Sequence, residues 1–191
     1  MKDFVFKYIS ATNSRGLYKK SLGMTLIEVL VALFIISTGI LGATALIATA
    51  KQGSFDAMQR SLASSLAQDI VSRMRANNIN NLANYVGNYG LVLDTAPSNR
   101  CRDAAACTAA QMVVNDIFEW ELALMGADVS NSTGNSGGLL GALGCVAVNG
   151  NNVTVVVSWQ ALKDISDAAK VANCGAAGAK RRQVVMQAYI I

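Results

Sequence analysis

Apolar residues run almost without a break from Met24 to Ala50, then recur at three- and four-residue steps as far as Asn77. The first run holds Glu28 as its only charged residue. At 1.5 Å per residue it makes a helix of roughly 40 Å, long enough to span a bilayer. A soluble core helix would show a polar face, and none falls between Val29 and Ala48. In the second run Phe55, Met58, Leu62, Leu66, Ile70 and Met74 share one face, with Gln59, Arg60, Gln68, Asp69, Arg73 and Arg75 between them. That spacing predicts an amphipathic continuation of the helix against a globular domain. No proline precedes Pro97, so nothing forces a sharp kink. Ser37, Thr38, Gly39 and Gly42 are the weaker points, each glycine costing about 1 kcal/mol against alanine, and the helix is expected to loosen there during packing.

Asn77 and Asn78 end the pattern, and the turn formers from Asn77 to Gly90 predict a connecting loop, with a short strand at Gly90 to Leu93. Thr108 and Gln111 have the spacing of a capping box ahead of a second helix. Val113, Ile117, Trp120 and Leu124 form its apolar stripe, which makes Trp120 a core anchor rather than a ligand platform. The stretch "GADVSNSTGNSGG" reads as a surface loop. Val146 and Val148 alternate before Asn149-Gly150, a strong turn signal, and Val153 to Gln160 make a β-branched strand. Arg182 to Ile191 supply a last strand. Helices followed by strands give an α+β class: a long N-terminal helix, transmembrane in its first half and amphipathic in its second, packed on a small antiparallel sheet with a second short helix. Residues 52–191 are enough for one domain with its own core.

Charge is distributed in one telling way. The chain has 16 basic and 12 acidic residues. Lys2, Lys7, Arg15, Lys19 and Lys20, against Asp3 alone, place the whole net charge of +4 before Met24. The rest is balanced, which argues against direct nucleic-acid binding. A basic flank stays cytoplasmic and sends the far side of the span outward. All four cysteines, Cys101, Cys107, Cys145 and Cys174, follow the span, and an even count in an oxidising compartment suggests disulfides. Of three possible connectivities, Cys101 with Cys107, before the second helix, and Cys145 with Cys174, tying the hairpin to the segment before the last strand, are favoured. The second closes a loop of about 30 residues, a contribution of roughly 3 to 4 kcal/mol by chain entropy.

Catalytic chemistry has little to stand on. There is no histidine, no phosphate-binding glycine loop before a helix and no Gly-x-Ser-x-Gly elbow. No cofactor, metal site or enzyme activity is expected. Lys180-Arg181-Arg182 reads as a solvated flank of the last strand rather than a site for DNA or anionic lipid.

A carboxylate at the head of an apolar helix is costly in lipid and needs a reason. Gly23-Met24-Thr25-Leu26-Ile27-Glu28, behind a basic leader and ahead of the apolar helix, resembles the type IV prepilin motif. The resemblance implies that a prepilin peptidase and methyltransferase cuts after Gly23 on the cytoplasmic face and methylates the new amine of Met24. It also implies that Glu28 meets the methylated amine of a neighbouring subunit. A misplaced subunit would leave that charge unpaired. In the membrane itself, Glu28 at the interface would be stabilised by the N-terminal end of the helix dipole.

Beyond this shared block, "LAQDIVSRMRANN" (Leu66 to Asn78), "CTAAQMVVNDIFEWELAL" (Cys107 to Leu124) and "VTVVVSWQ" (Val153 to Gln160) are most similar to the PilV family of minor pilins, type IV pilus modification proteins. The leader is longer than in many pilins. The domains implied are a cleaved leader at 1–23, a membrane and filament-core helix at 24–51, and a periplasmic pilin-like domain at 52–191. The function implied is that of a minor pilin in a priming or tip complex for pilus assembly, supporting adhesion, twitching motility or DNA uptake. Its partners would be other minor pilins and the major pilin. Its location would be the inner membrane in a single pass, then the pilus at the cell surface. Two other readings share the leader and helix: a minor pseudopilin of a type II secretion system, and a tip adhesin or DNA-binding pilin using the loops at Asn77 to Arg100 and Asp128 to Gly144.

Overall fold

The computed structural model describes residues 23–102, 106–132, 134–135, 137–164 and 174–191. The basic leader residues, Thr133 and Ser136 lie outside the described residues. The chain divides into two compact units, the first ending at Leu46 and the second comprising Ile47–Ile191.

The helix α1 runs from Leu26 to Ala76. In the first unit its large apolar side chains stand open: Leu30, Phe34, Ile36, Ile40, Leu41 and Leu46 are all more than half exposed. This is a helix long and apolar enough to cross a membrane. The helix is unbroken through Gly39 and Gly42, so the isolated chain does not loosen there. The hydroxyls in that stretch add no unsatisfied polar groups, because Ser37 Oγ donates to Phe34 O at 2.9 Å and Thr38 Oγ1 to Ile35 O at 3.0 Å.

In the second unit α1 buries Gln59, Ala63, Leu66, Ala67, Ile70, Val71 and Met74. Three members of the expected stripe are therefore replaced toward its start: Met58 is exposed and Phe55 and Leu62 are only partly covered. Gln59, Ala63 and Ala67 take their place on the buried face. A 3-10 helix, Ile79–Tyr85, follows, and then β1, Gly87–Tyr89. The expected strand at Gly90 to Leu93 is thus displaced toward the N-terminus. At φ 91 Gly90 turns the chain away from the sheet, and its amide is taken by the carboxylate of Glu121 at 2.9 Å.

Helix α2, Ala109–Met125, starts at the reciprocal capping box of Thr108 and Gln111. In the polar stretch read as a loop, β2 (Ser130–Asn131) and β3 (Gly134–Asn135) form a minimal antiparallel ladder. The main sheet is antiparallel in the order β1, β4 (Leu143–Asn149), β5 (Asn152–Gln160), β6 (Arg181–Tyr189). Asn149 pairs with Asn152, so the hairpin loop is Gly150-Asn151, one residue beyond the Asn-Gly dipeptide.

Alternation along β5 sorts the core. Val153, Val155, Val157 and Trp159 face the helices and are buried with Trp120, Leu124, Ile70 and Met74. Val156 and Ser158 face the other side, under Cys174. Trp120 is completely buried, donates Nε1–H to Leu66 O at 2.8 Å, and meets Tyr89 edge to face at 5.7 Å between ring centroids. Gly144 in β4 makes room for it: a Cβ there would lie 2.4 Å from Trp120 Cη2 and 2.9 Å from Leu124 Cδ1.

Gly144→Ala should therefore overpack the core and cost about 1 to 3 kcal/mol. A lowered melting temperature of the detergent-solubilised protein is the expected result, and an unchanged one would contradict this packing.

Candidate functional site

The residues expected to be cut and paired lie at the head of α1. Gly23, Met24 and Thr25 are exposed and outside the helix, which begins at Leu26. Thr25 is its cap: Oγ1 accepts from the Glu28 amide at 3.4 Å, and its carbonyl accepts from the amides of Glu28 at 3.1 Å and Val29 at 3.3 Å. Glu28 sits in the first turn, where a carboxylate is favoured by the positive end of the helix dipole. Thr25-x-x-Glu28 is itself a capping-box spacing, a signal present in the sequence and overshadowed by the motif that contains it. Among the described residues no cation pairs with Glu28. The peptide bond between Gly23 and Met24 is thus in exposed, non-helical chain, and the carboxylate is free to take a partner from elsewhere.

In the second unit a polar cluster fastens α1 to α2. Arg73 forms ion pairs with Asp69 at 2.9 Å, Glu119 at 3.0 Å and Asp116 at 3.3 Å. Glu119 also binds Arg102 at 3.1 Å and faces Arg100 at 3.5 Å, whose guanidinium lies over the Phe118 ring. Tyr85 donates its hydroxyl to Asp116 at 2.7 Å and accepts from Asn77 Nδ2, which also donates to Ala109 O. Burial opposes the charge of Arg73, but Glu119 and Asp69 outweigh it and raise its pKa. Burial pushes the Tyr85 hydroxyl up, reinforced by Asp116. Burial would also raise the Glu119 carboxyl, but hydrogen bonds from Arg73 and Arg102 prevail and hold it below the ordinary carboxylate value. Nothing in the sequence signalled this cluster, because its members lie 43 and 46 residues apart.

The structure joins Cys101 to Cys107 and Cys145 to Cys174. The first holds the chain just ahead of α2, beside Arg100 and Arg102. The second ties β4 to the segment covering the far face of the sheet. Among the described residues no group of acidic, histidine or cysteine side chains could hold a metal ion. The Arg73 cluster holds α1 to α2.

Two family models match. The prokaryotic N-terminal methylation motif covers residues 18–44, and the type IV pilin Tt1218 model covers residues 45–118. The chain thus carries a methylation motif followed without a gap by a type IV pilin domain, on an α+β fold. A search of curated proteins found no match, and neither did a search of solved structures. The pilin match ends inside α2, so β4, β5 and β6 lie beyond it.

The depressed Glu119 pKa fixes a sign. Its contribution to stability is present above the unfolded carboxyl value, near 4.3, and is lost as pH falls through the lower folded value. Glu119→Gln should lower the melting temperature at neutral pH, with the gap to wild type closing below about pH 4. A gap independent of pH would contradict the ion-pair account.

Proposed function

We propose that the chain is a minor pilin of the PilV kind, processed after Gly23 and built into a priming or tip complex of a type IV pilus. The observation carrying this reading is the head of α1. An exposed, non-helical Gly-Met-Thr and the lone carboxylate of Glu28 stand at the head of about twenty residues of helix that, among the described residues, nothing covers. Such a surface is stable only in lipid or among other helices. The methylation motif implies a prepilin peptidase and assembly with other pilins. The domain boundaries follow: the leader through Gly23 is removed, 24–51 anchors the subunit and then joins the filament core, and 52–191 is periplasmic before reaching the surface.

The PilV assignment is supported by the way its sequence blocks meet. Leu66 to Asn78 and Cys107 to Leu124 are joined by the Arg73 cluster, by the Trp120 bond to Leu66 and by Asn77 to Ala109. Val153 to Gln160 supplies the central core strand. These blocks are one packing unit, which fits a shared subunit architecture rather than scattered similarity. Glu28 then serves as the axial register of assembly, pairing with the methylated amine of Met24 in a neighbour.

Glu28→Val removes that charge and leaves the helix more apolar. Membrane insertion should persist while recovery in sheared surface filaments falls, read by immunoblot of both fractions. Equal filament incorporation would overturn the pairing role.

A further inference from the structure

We propose that the free edge of β6 accepts an extended strand from another pilin-type subunit. The phase of the β5 and β6 ladder shows which groups are open. Ile190 N–H donates to Asn151 O and Lys180 O accepts from Ala161 N–H, in the same register as the pairs from Asn152 with Tyr189 to Gln160 with Arg181. Even-numbered residues of β6 therefore point their amides and carbonyls at β5. Gln183, Val185, Gln187 and Tyr189 point theirs away, and among the described residues those groups have no partner.

The strand lacks the usual protection of an edge. From Gln183 to Tyr189 it contains no proline and no charge, and Val185 and Tyr189 are more than half exposed. Gln183 Oε1, over the far face of the sheet, is buried with no donor among the described residues. A row of alternating backbone donors and acceptors is matched by another extended chain and by nothing else of comparable simplicity.

Charge selects the occupant. Lys180, Arg181 and Arg182 stand at the start of β6, where Arg181 and Arg182 donate to the carbonyls of Gly141, Ala179 and Lys163. Among the described residues no carboxylate pairs with them. A second copy of this strand brings no acidic side chain between Lys180 and Ile191 to that cluster. A different subunit with an acidic end to its strand can. The partner's identity as a pilin rests on the function proposed above; the open edge does not.

The test uses the full chain in piliated cells, with Gln187 replaced by p-benzoylphenylalanine and cross-links identified by mass spectrometry. The expected result is a cross-link to a strand of another pilin-type subunit, lost when Val185→Pro is added. That substitution removes only an outward amide, so the melting temperature should stay near wild type, whereas Met186→Pro removes a ladder amide and should lower it. If Val185→Pro itself unfolds the protein, the cross-link in the otherwise wild-type chain decides. No cross-link to another pilin-type subunit, cross-links only to a second copy, or a cross-link surviving in a folded Val185→Pro variant would each overturn the proposal. Leader removal in the same cells separates the two claims: cut chains without the cross-link defeat the edge proposal alone, and uncut chains defeat the pilin reading.

Discussion

One helix serving two solvents is the constraint from which the rest follows. Over its first half α1 is apolar on every side and, among the described residues, covered by nothing, and over its second half it buries a single stripe. A side chain more than half exposed and wholly apolar carries a standing cost in water of tens of calories per Å². Some twenty such residues in sequence cannot be left there. They call for a bilayer or neighbouring helices, and in the function proposed above the helix head is where a subunit passes from one to the other. Thr25 ends the helix just past the Gly23-Met24 bond, and Glu28 is the one charge that the apolar run carries into either environment.

The second unit is a folded domain with its own core. Arg73 is its hinge-pin: three carboxylates from α1 and α2 converge on it, and Glu119 passes the connection to Arg100 and Arg102 beside a disulfide. Partly buried pairs of this kind are costly to break singly, since each break strands a charge. They fix the orientation of α2, and α2 in turn sets Trp120 into the space left by Gly144 on the sheet. The sheet is closed on its helix side by valines. On its far side the segment carrying Cys174 covers Val156 and Ser158. Among the described residues its last strand keeps an unpaired outer edge.

Much of this was legible in the chain because it is local. A period of 3.6 gave the long helix, Thr108 and Gln111 marked the start of α2, and the valine run around Asn149-Gly150 marked the hairpin. Thr25-x-x-Glu28 was equally local. It went unread as a cap because the residues already had a meaning in the processing motif. What had no local signature was lost: Arg73 with Asp116 and Glu119, Tyr85 with Asp116, and Glu121 drawing the amides of Gly90 and Asp94 out of the sheet. That last contact explains why the strand at Gly87 ends where β propensity alone would extend it to Leu93. Toward the start of α1, spacing favours Met58 and Leu62, and the structure buries Gln59 and Ala63 instead.

The most direct test is the intact mass and N-terminal sequence of the protein recovered from membranes and from sheared surface filaments. A chain beginning at N-methylated Met24 in the filament fraction is the predicted result. An uncut chain confined to the membrane would make it an ordinary single-span anchored protein, and the role given to Glu28 would fall with it.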